Sequence, residues 1–208
     1  SFGLYFFKYA YGDEGMYSIF ALILGVSQIA ALVVFPLISR HFERRTLYAF
    51  STGLVVAGYV IFFFAPLDTM LFIGIAGVLL FIGQAFIQLM MLMFLADTVE
   101  YGFWKSGRRN DSVTFSIQPF INKMGGAVAS GVVSATVIVS GIKDAQNAEQ
   151  VTAGGLLMMK MAMMIFPLLC ILAGFLLYLK KYKIDSSLYA RILKELRERG
   201  DIRTGEGE

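Results

Sequence analysis

Five long apolar stretches constrain this chain more than any other feature. They cover residues 16–39, 47–65, 70–96, 113–141 and 154–179. A helix needs about 20 such residues to cross the hydrocarbon core of a bilayer. The stretches also lack the alternation of polar and apolar residues that is typical of membrane strands. The sequence therefore predicts an all-α polytopic membrane protein with five complete spans.

Two further segments flank these spans and complete the predicted domain organisation. Residues 1–11 are aromatic and apolar, but at 1.5 Å per residue they reach only about 15 Å, half of a bilayer core. We interpret them as the end of a sixth, truncated transmembrane helix. Residues 16–181 form the five-helix bundle, and residues 182–208 form a basic tail.

The composition excludes several classes of protein. Hydrophobic residues make up 57% of the chain and charged residues only 16%, against about 25% charged in soluble domains. One cysteine and one histidine argue against a disulfide framework, a metal site or histidine-based catalysis. Without a hydrolase motif or paired mid-membrane carboxylates, we expect no catalytic residue and no cofactor. The net charge of +3 is too small for a nucleic-acid partner.

Charges in the loops alternate along the chain. Residues 40–45 and 105–109 are basic, and the chain from residue 180 onward carries eight Lys and Arg residues. Residues 66–68 carry none, and residues 142–150 carry one. Because short basic loops stay in the cytoplasm, the pattern predicts a multi-pass protein of the cytoplasmic membrane with its C-terminus inside.

The tail has the pattern of a short amphipathic helix. Asp185 or Ser186 is a suitable N-cap, and apolar residues recur on one face among Lys, Arg and Glu. Such a helix either lies on the cytoplasmic leaflet or is a solvated charged helix. The sequence leaves both interpretations open.

Lys123 is the most unusual residue in the predicted spans. It lies eleven residues into the fourth complete span, where a charge costs at least about 2.5–3.5 kcal/mol. No Asp or Glu lies in the middle of any span, so we expect a ligand or a group outside this chain to neutralise it. The alternative is a structural lysine bonded to helix carbonyls. Gln118, Asn122 and a proline that interrupts the helix, Pro119, favour a binding-site helix.

Gln84 and Gln88 form a second polar stripe, one turn apart in the third complete span. Amides suit a ligand rich in hydroxyl groups, because each amide both donates and accepts. An interhelical hydrogen bond worth about 0.6 kcal/mol is an equally good explanation.

A third cluster of polar residues is charged and lies at the end of that span. Asp97 and Glu100 share a helix face, and Arg108 and Arg109 follow within a short loop. We expect the two arginines to close on the two acids. A network of this kind at the mouth of a transporter is a candidate gate.

The same residues carry a family resemblance. The run Asp-Thr-Val-Glu-Tyr-Gly-Phe-Trp-Lys at 97–105, Gly-Arg-Arg at 107–109 and Phe-Ser-Ile-Gln-Pro-Phe-Ile-Asn-Lys-Met-Gly-Gly at 115–126 resembles the glycoside–pentoside–hexuronide:cation symporters. That family belongs to the major facilitator superfamily, whose members have twelve helices in two halves. The resemblance extends over the whole chain, and it implies that the chain is the C-terminal six-helix half.

The resemblance implies roles for particular residues. Lys123 matches a lysine beside the cation and sugar sites that links the two halves, and Gln118 matches a polar position near the sugar. Asp97, Glu100 and Arg109 match charges of the cytoplasmic gate. The implied partners are a sugar or glycoside, the lipid bilayer and the N-terminal half. The coupling cation, Na⁺ or H⁺, would be bound mainly by residues of that N-terminal half.

The chain also departs from the family pattern. Gln88 stands where the melibiose carrier has a tryptophan near the sugar, and Pro119 stands where that carrier has a threonine. The expected function is nevertheless cation-coupled symport of a sugar or glycoside by alternating access. The alternative is a membrane sensor, an assembly subunit or an inactive half-transporter that carries nothing.

Overall fold

The computed structural model describes residues 2–66, 69–145 and 148–199, and within these ranges the regular structure is helical, without strands. Parts of four predicted regions lie outside the described residues, namely residue 1 of the truncated helix, residues 67–68 and 146–147 of two loops, and residues 200–208 of the tail. The helices, numbered in chain order, are α1 (Phe2–Tyr5), which continues as a π-helix (Phe6–Tyr11), α2 (Gly15–Ser39), α3 (Arg44–Phe64), α4 (Met70–Ser106), α5 (Asp111–Val139), α6 (Ala153–Lys181) and α7 (Ser186–Glu198).

Five of these helices, α2 to α6, are long and apolar enough to cross a membrane. Their positions confirm the all-α polytopic fold and the five predicted spans to within a few residues at most ends. The exception is α4, which extends ten residues past the predicted end of its span, to Ser106. Its 37 residues correspond to about 55 Å, well beyond the bilayer core of about 30 Å.

Helices α2, α3 and α4 form the tightly packed part of the bundle. A Cβ added to Gly83 of α4 would lie 2.8 Å from the carbonyl oxygen of Ser51 on α3. A Cβ on Gly58 of α3 would lie 2.8 Å from the backbone nitrogen of Leu80 on α4. Glycine at both positions therefore lets the two helix backbones approach closely, as small residues do between membrane helices. Around this contact α2 packs on α4, and α6 packs on α3.

The segment Phe6–Tyr11 anchors one end of the bundle with aromatic side chains. Phe6 and Phe7 are buried. Phe6 lies 5.0 Å from Phe62 of α3, and Phe7 lies 5.1 Å from Phe20 of α2, between ring centroids. The hydroxyl of Tyr9 donates to the carbonyl oxygen of Ala145 at 2.9 Å. The short segment is therefore packed into the core of the bundle.

The opposite end of the bundle carries the basic residues. The α2–α3 loop, the C-terminal end of α4, the α4–α5 loop and the C-terminal end of α6 all lie there, followed by α7. We call this the basic end. Its position agrees with the alternation of charge along the sequence, in which successive loops fall at opposite ends.

Candidate functional site

The polar residues of α5 lie on a surface that the described part of the chain leaves uncovered. Asn122 and Lys123 are exposed and Gln118 is half-buried. An added Cβ at Gly125 or Gly126 would meet no atom within 4 Å. We call residues 118–126 the polar face of α5. In the described part of the chain Lys123 forms no ion pair, so its role as a coupling residue stays a prediction.

Pro119 does not interrupt α5, contrary to the sequence prediction. The helix is continuous from Asp111 to Val139. A proline removes one N–H donor, so the carbonyl of Phe115, four residues earlier, lacks its usual partner. The helix nevertheless continues through Pro119 without a break.

Gln84 and Gln88 are also exposed, on α4. Helix α4 contacts α5, so the two polar stripes belong to neighbouring helices. Within the described ranges no hydrogen bond joins one stripe to the other. Among the described residues, neither glutamine forms the interhelical hydrogen bond that would explain it structurally.

At the basic end, Asp97 forms the centre of a buried polar cluster. Only 1% of Asp97 is exposed. It forms an ion pair with Arg44 at the start of α3, and it accepts a hydrogen bond of 2.9 Å from the hydroxyl of Tyr182. Its other oxygen, Oδ1, is buried without a hydrogen-bond partner in the described structure. The carboxylate is thus held by two partners, Arg44 and Tyr182, but is only partly satisfied.

Two tyrosines complete this cluster. The guanidinium of Arg44 lies 4.5 Å from the ring centroid of Tyr189 on α7, a distance typical of cation–π contact. Burial raises the pKa of Tyr189, and a hydrogen bond to the Glu100 carboxylate raises it further. Burial likewise raises the pKa of Tyr182 to about 12, although the charge of Arg44 opposes the shift. Both phenols therefore stay neutral at physiological pH, and that of Tyr182 donates to Asp97.

Arg108 and Arg109 do not close on Asp97 and Glu100 in this structure. Helix α4 continues to Ser106, and Gly107, with φ of 66°, ends it in the left-handed conformation. The chain then turns away, and Arg109 Nε bonds Asp111 Oδ2 at 2.8 Å. Asp97 pairs instead with Arg44, a residue of the basic loop that the sequence analysis did not single out.

The tail helix α7 is docked on the rest of the protein, an arrangement that the sequence analysis did not consider. Ile192 and Leu196 are fully buried, and α7 contacts α4. Trp104 of α4 donates its indole N–H to Glu195 Oε2 at 2.6 Å. Asp185 is the N-cap, as predicted, and accepts from the backbone of Leu188 at 2.7 Å. The apolar face of α7 thus covers the projecting end of α4.

Comparison with known proteins places this arrangement in a family. Residues 1–186 match the family described as MFS/sugar transport protein. The raffinose carrier protein of Pediococcus pentosaceus is 32% identical over 93% of this chain, and the lactose permease of Lactobacillus delbrueckii subsp. bulgaricus is 29% identical over 93%. The isoprimeverose transporter of Lactiplantibacillus pentosus is 29% identical over 72%.

The chain spans about a third of the length of these relatives, namely 30%, 31% and 32% respectively. All three are named as carriers, permeases or transporters, and none as an enzyme. This agrees with the absence of catalytic motifs from the sequence and with the resemblance carried by residues 97–126. The chain belongs to the MFS/sugar transport protein family.

Proposed function

We propose that this chain is the C-terminal half of a carrier that moves a sugar or glycoside across a bacterial cytoplasmic membrane, coupled to Na⁺ or H⁺. The observation that carries the proposal is the uncovered polar face of α5 in a member of a sugar-transport family. The relatives are named for raffinose, lactose and isoprimeverose. Such compounds are glycosides, so we infer that this is the substrate class.

The partner of the polar face would be the N-terminal six-helix half of the same carrier. A lysine and an asparagine facing lipid are costly, whereas the same residues facing a second half line a wet cavity. The absence of side chains at Gly125 and Gly126 would let the other half approach α5 closely. The two halves would rock around this shared midplane site, which is the general scheme of alternating access.

The amides would bind the sugar. Gln84 and Gln88 of α4, with Gln118 and Asn122 of α5, each offer both a donor and an acceptor to sugar hydroxyls. Lys123 would instead neutralise the carboxylates of the cation site, which we place mainly on the N-terminal half. Binding of the cation and of the sugar would then depend on each other through the charge of Lys123.

The basic end would face the cytoplasm and hold the gate. Its loops carry the Lys and Arg residues that keep a segment inside. Asp97, held by Arg44, and Glu100 would form the fixed acidic part of the gate. Arg108 and Arg109 are exposed, and we assign them the contacts with the other half that form and break in each cycle.

The test is uptake of radiolabelled α- and β-glycosides by vesicles that contain the intact protein, with a Na⁺ gradient, a proton gradient or neither. We expect gradient-driven accumulation. Lys123→Ala should abolish accumulation against a gradient but preserve exchange of sugar between the two sides. Lys143→Ala, an exposed lysine in a loop at the opposite end, is the matched control and should transport normally.

Two results would contradict the proposal in different ways. Unchanged cation dependence in Lys123→Ala would remove Lys123 from the coupling mechanism. If the folded, inserted protein accumulates no glycoside, the non-transporting alternatives, a membrane sensor or an assembly subunit, become the better explanation.

A further inference from the structure

The chain that leaves α6 passes over the buried pair of Asp97 and Arg44 and contacts both members. Tyr182, directly after α6, donates its hydroxyl to Asp97 Oδ2 at 2.9 Å. Tyr189, in the first turn of α7, has its ring centroid 4.5 Å from the guanidinium of Arg44. Two residues seven positions apart therefore contact the acid and the base of a single ion pair.

Tyr189 extends these contacts to the second acid of the basic end. Its hydroxyl forms a hydrogen bond with the carboxylate of Glu100, which lies one turn beyond Asp97 on α4. A neutral phenol donates a hydrogen bond without adding charge. Each acid also keeps one buried oxygen that has no hydrogen-bond partner among the described residues, namely Asp97 Oδ1 and Glu100 Oε2. The two phenols thus hold both acids without neutralising them.

Aromatic packing fixes the position of the Tyr182 hydroxyl. The Tyr182 ring lies 4.9 Å from Phe94 of α4 and 4.9 Å from Tyr178 of α6, between ring centroids. Tyr178 in turn lies 4.7 Å from Tyr48 of α3. These distances are typical of favourable aromatic pairs. The hydroxyl that holds the acid is therefore positioned by three helices, and it stays in place only while α3, α4 and α6 remain together.

A second attachment of the tail lies further along α4. Trp104 donates its indole N–H to Glu195 Oε2 at 2.6 Å, and the neighbouring Ile192 and Leu196 are fully buried. Asp97 and Trp104 are seven residues apart on the helix, a rise of about 10 Å. The segment is thus attached to α4 at two separate points and to α3 through the cation–π contact.

We propose that residues 182–196, which we call the strap, hold the acids of the gate in place, with Tyr182 and Tyr189 as positioning residues. The inference rests on the proposed function, in which Asp97 and Glu100 are the fixed part of the gate and the arginines of the α4–α5 loop contact the other half in each cycle. Acids that meet such a partner repeatedly have to be held in one position by neighbouring groups. Undocking of the strap would remove two hydrogen-bond donors from these acids, weaken the closed gate and slow the cycle.

The first test is uptake of radiolabelled raffinose and lactose, the sugars for which two relatives are named, by vesicles that contain the intact protein. Tyr182→Phe keeps the packed ring and removes only the hydroxyl. We expect the maximal rate to fall about tenfold, the factor for loss of one hydrogen bond to a charged group. The KM should not change, because the proposed sugar-binding amides lie elsewhere. An unchanged maximal rate would overturn the proposal.

Tyr101→Phe is the matched control for the loss of a phenol hydroxyl. Tyr101 lies on α4 at the same end of the bundle and is also half-buried. Its hydroxyl forms no hydrogen bond with any described residue. This variant should transport at the rate of the wild type, and a loss as large as that of Tyr182→Phe would overturn the assigned role of the Tyr182 hydroxyl.

A double substitution separates positioning from a general loss of stability. Ile192→Asp should undock α7 and also lower the maximal rate. Tyr189→Phe should lower the rate of the wild type but have no further effect in the Ile192→Asp variant, because there the hydroxyl has already left Glu100. Independent destabilising effects would multiply instead, and that result would overturn the proposal.

Hydrogen exchange tests the strap without any transport. In Tyr182→Phe, amides in the last two turns of α4 and in α7 should exchange faster than in the wild type, while those around Gly58 and Gly83 stay slow. If the wild type takes up neither sugar, the proposed function is contradicted, but faster exchange at these sites would still support the strap. Unchanged exchange would overturn the strap whatever the protein transports.

Discussion

The indole N–H of Trp104 donates to Glu195 Oε2 at 2.6 Å and joins α4 to a tail helix 91 residues further along the chain. Arg199 reinforces the contact, because its Nη1 donates to the carbonyl oxygen of Trp104 at 3.2 Å. Beneath these bonds Ile192 and Leu196 are fully buried. Helix α7 is therefore part of the folded protein, and its docking can be measured directly.

Replacing Ile192 with Asp should undock α7. The change places a charge in a fully buried site, and burial of an unpaired charge is strongly destabilising. Hydrogen exchange of residues 186–198 should become fast, while exchange in α3 and α4 stays slow. Lys194→Asp changes a side chain that is 78% exposed and should leave the tail protected. Protection of α7 in Ile192→Asp would contradict the docked arrangement.

Docking of the tail should also weaken in acid. Hydrogen bonds from Arg191 and Trp104 hold the pKa of Glu195 below its ordinary value of 4.5. A carboxyl group with a lowered pKa stabilises the folded state fully above its unfolded pKa, and the contribution is lost as the pH falls through the folded value. The fluorescence of Trp104 is obtained by subtracting the signal of the Trp104→Phe variant. It should therefore change below about pH 4.5. Glu195→Gln should remove that transition, and an identical acid transition in this variant would exclude Glu195 as its cause.

The two arginine–aspartate pairs of the basic end should contribute very differently to stability. Asp97 is 1% exposed, whereas the side chains of Arg109 and Asp111 are 52% and 43% exposed. Breaking a buried pair typically costs about 3–5 kcal/mol, and an exposed pair contributes about 0–1 kcal/mol. In thermal unfolding of the detergent-solubilised protein, Arg44→Gln should lower the midpoint clearly and Arg109→Gln hardly at all. Equal shifts in the two variants would mean that Asp97 is not the buried partner of Arg44.

Adjacent hydroxyls on α3 provide a matched pair of substitutions. Ser51 is buried and donates to the carbonyl oxygen of Leu47 at 2.7 Å. Thr52 is buried too, but its Oγ1 has no hydrogen-bond partner in the described structure. Because an unpaired buried polar group costs about 1–3 kcal/mol, Thr52→Val should keep or raise the unfolding midpoint, and Ser51→Ala should lower it. A larger loss in Thr52→Val than in Ser51→Ala would reveal a partner for the threonine hydroxyl.

The spans could be predicted because a membrane helix is recognised from a run of consecutive apolar residues, without knowledge of distant contacts. The partner of Asp97 could not be predicted in this way. Arg44 is 53 residues away in the sequence, and Arg109, which is nearer, is carried past Asp97 by the extra turns of α4. The docking of α7 was also missed, since an amphipathic pattern gives the apolar face of a helix but not whether lipid or protein covers it. The roles of Lys123 and of the four amides remain predictions, because the described part of the chain leaves these side chains exposed or half-buried.

Because α4 is long, a small tilt of this helix would displace its ends considerably. It forms one continuous helix from Met70 to Ser106, close-packed on α3 through most of its buried part, and Trp104 holds α7 within its last turn. A tilt of about 10° around the midpoint of a rod of about 55 Å displaces each tip by about 5 Å. A small tilt of the helix that carries Gln84 and Gln88 would thus displace its end beside α7 by several times more than its middle. Such a displacement is large enough to change the contacts of α7.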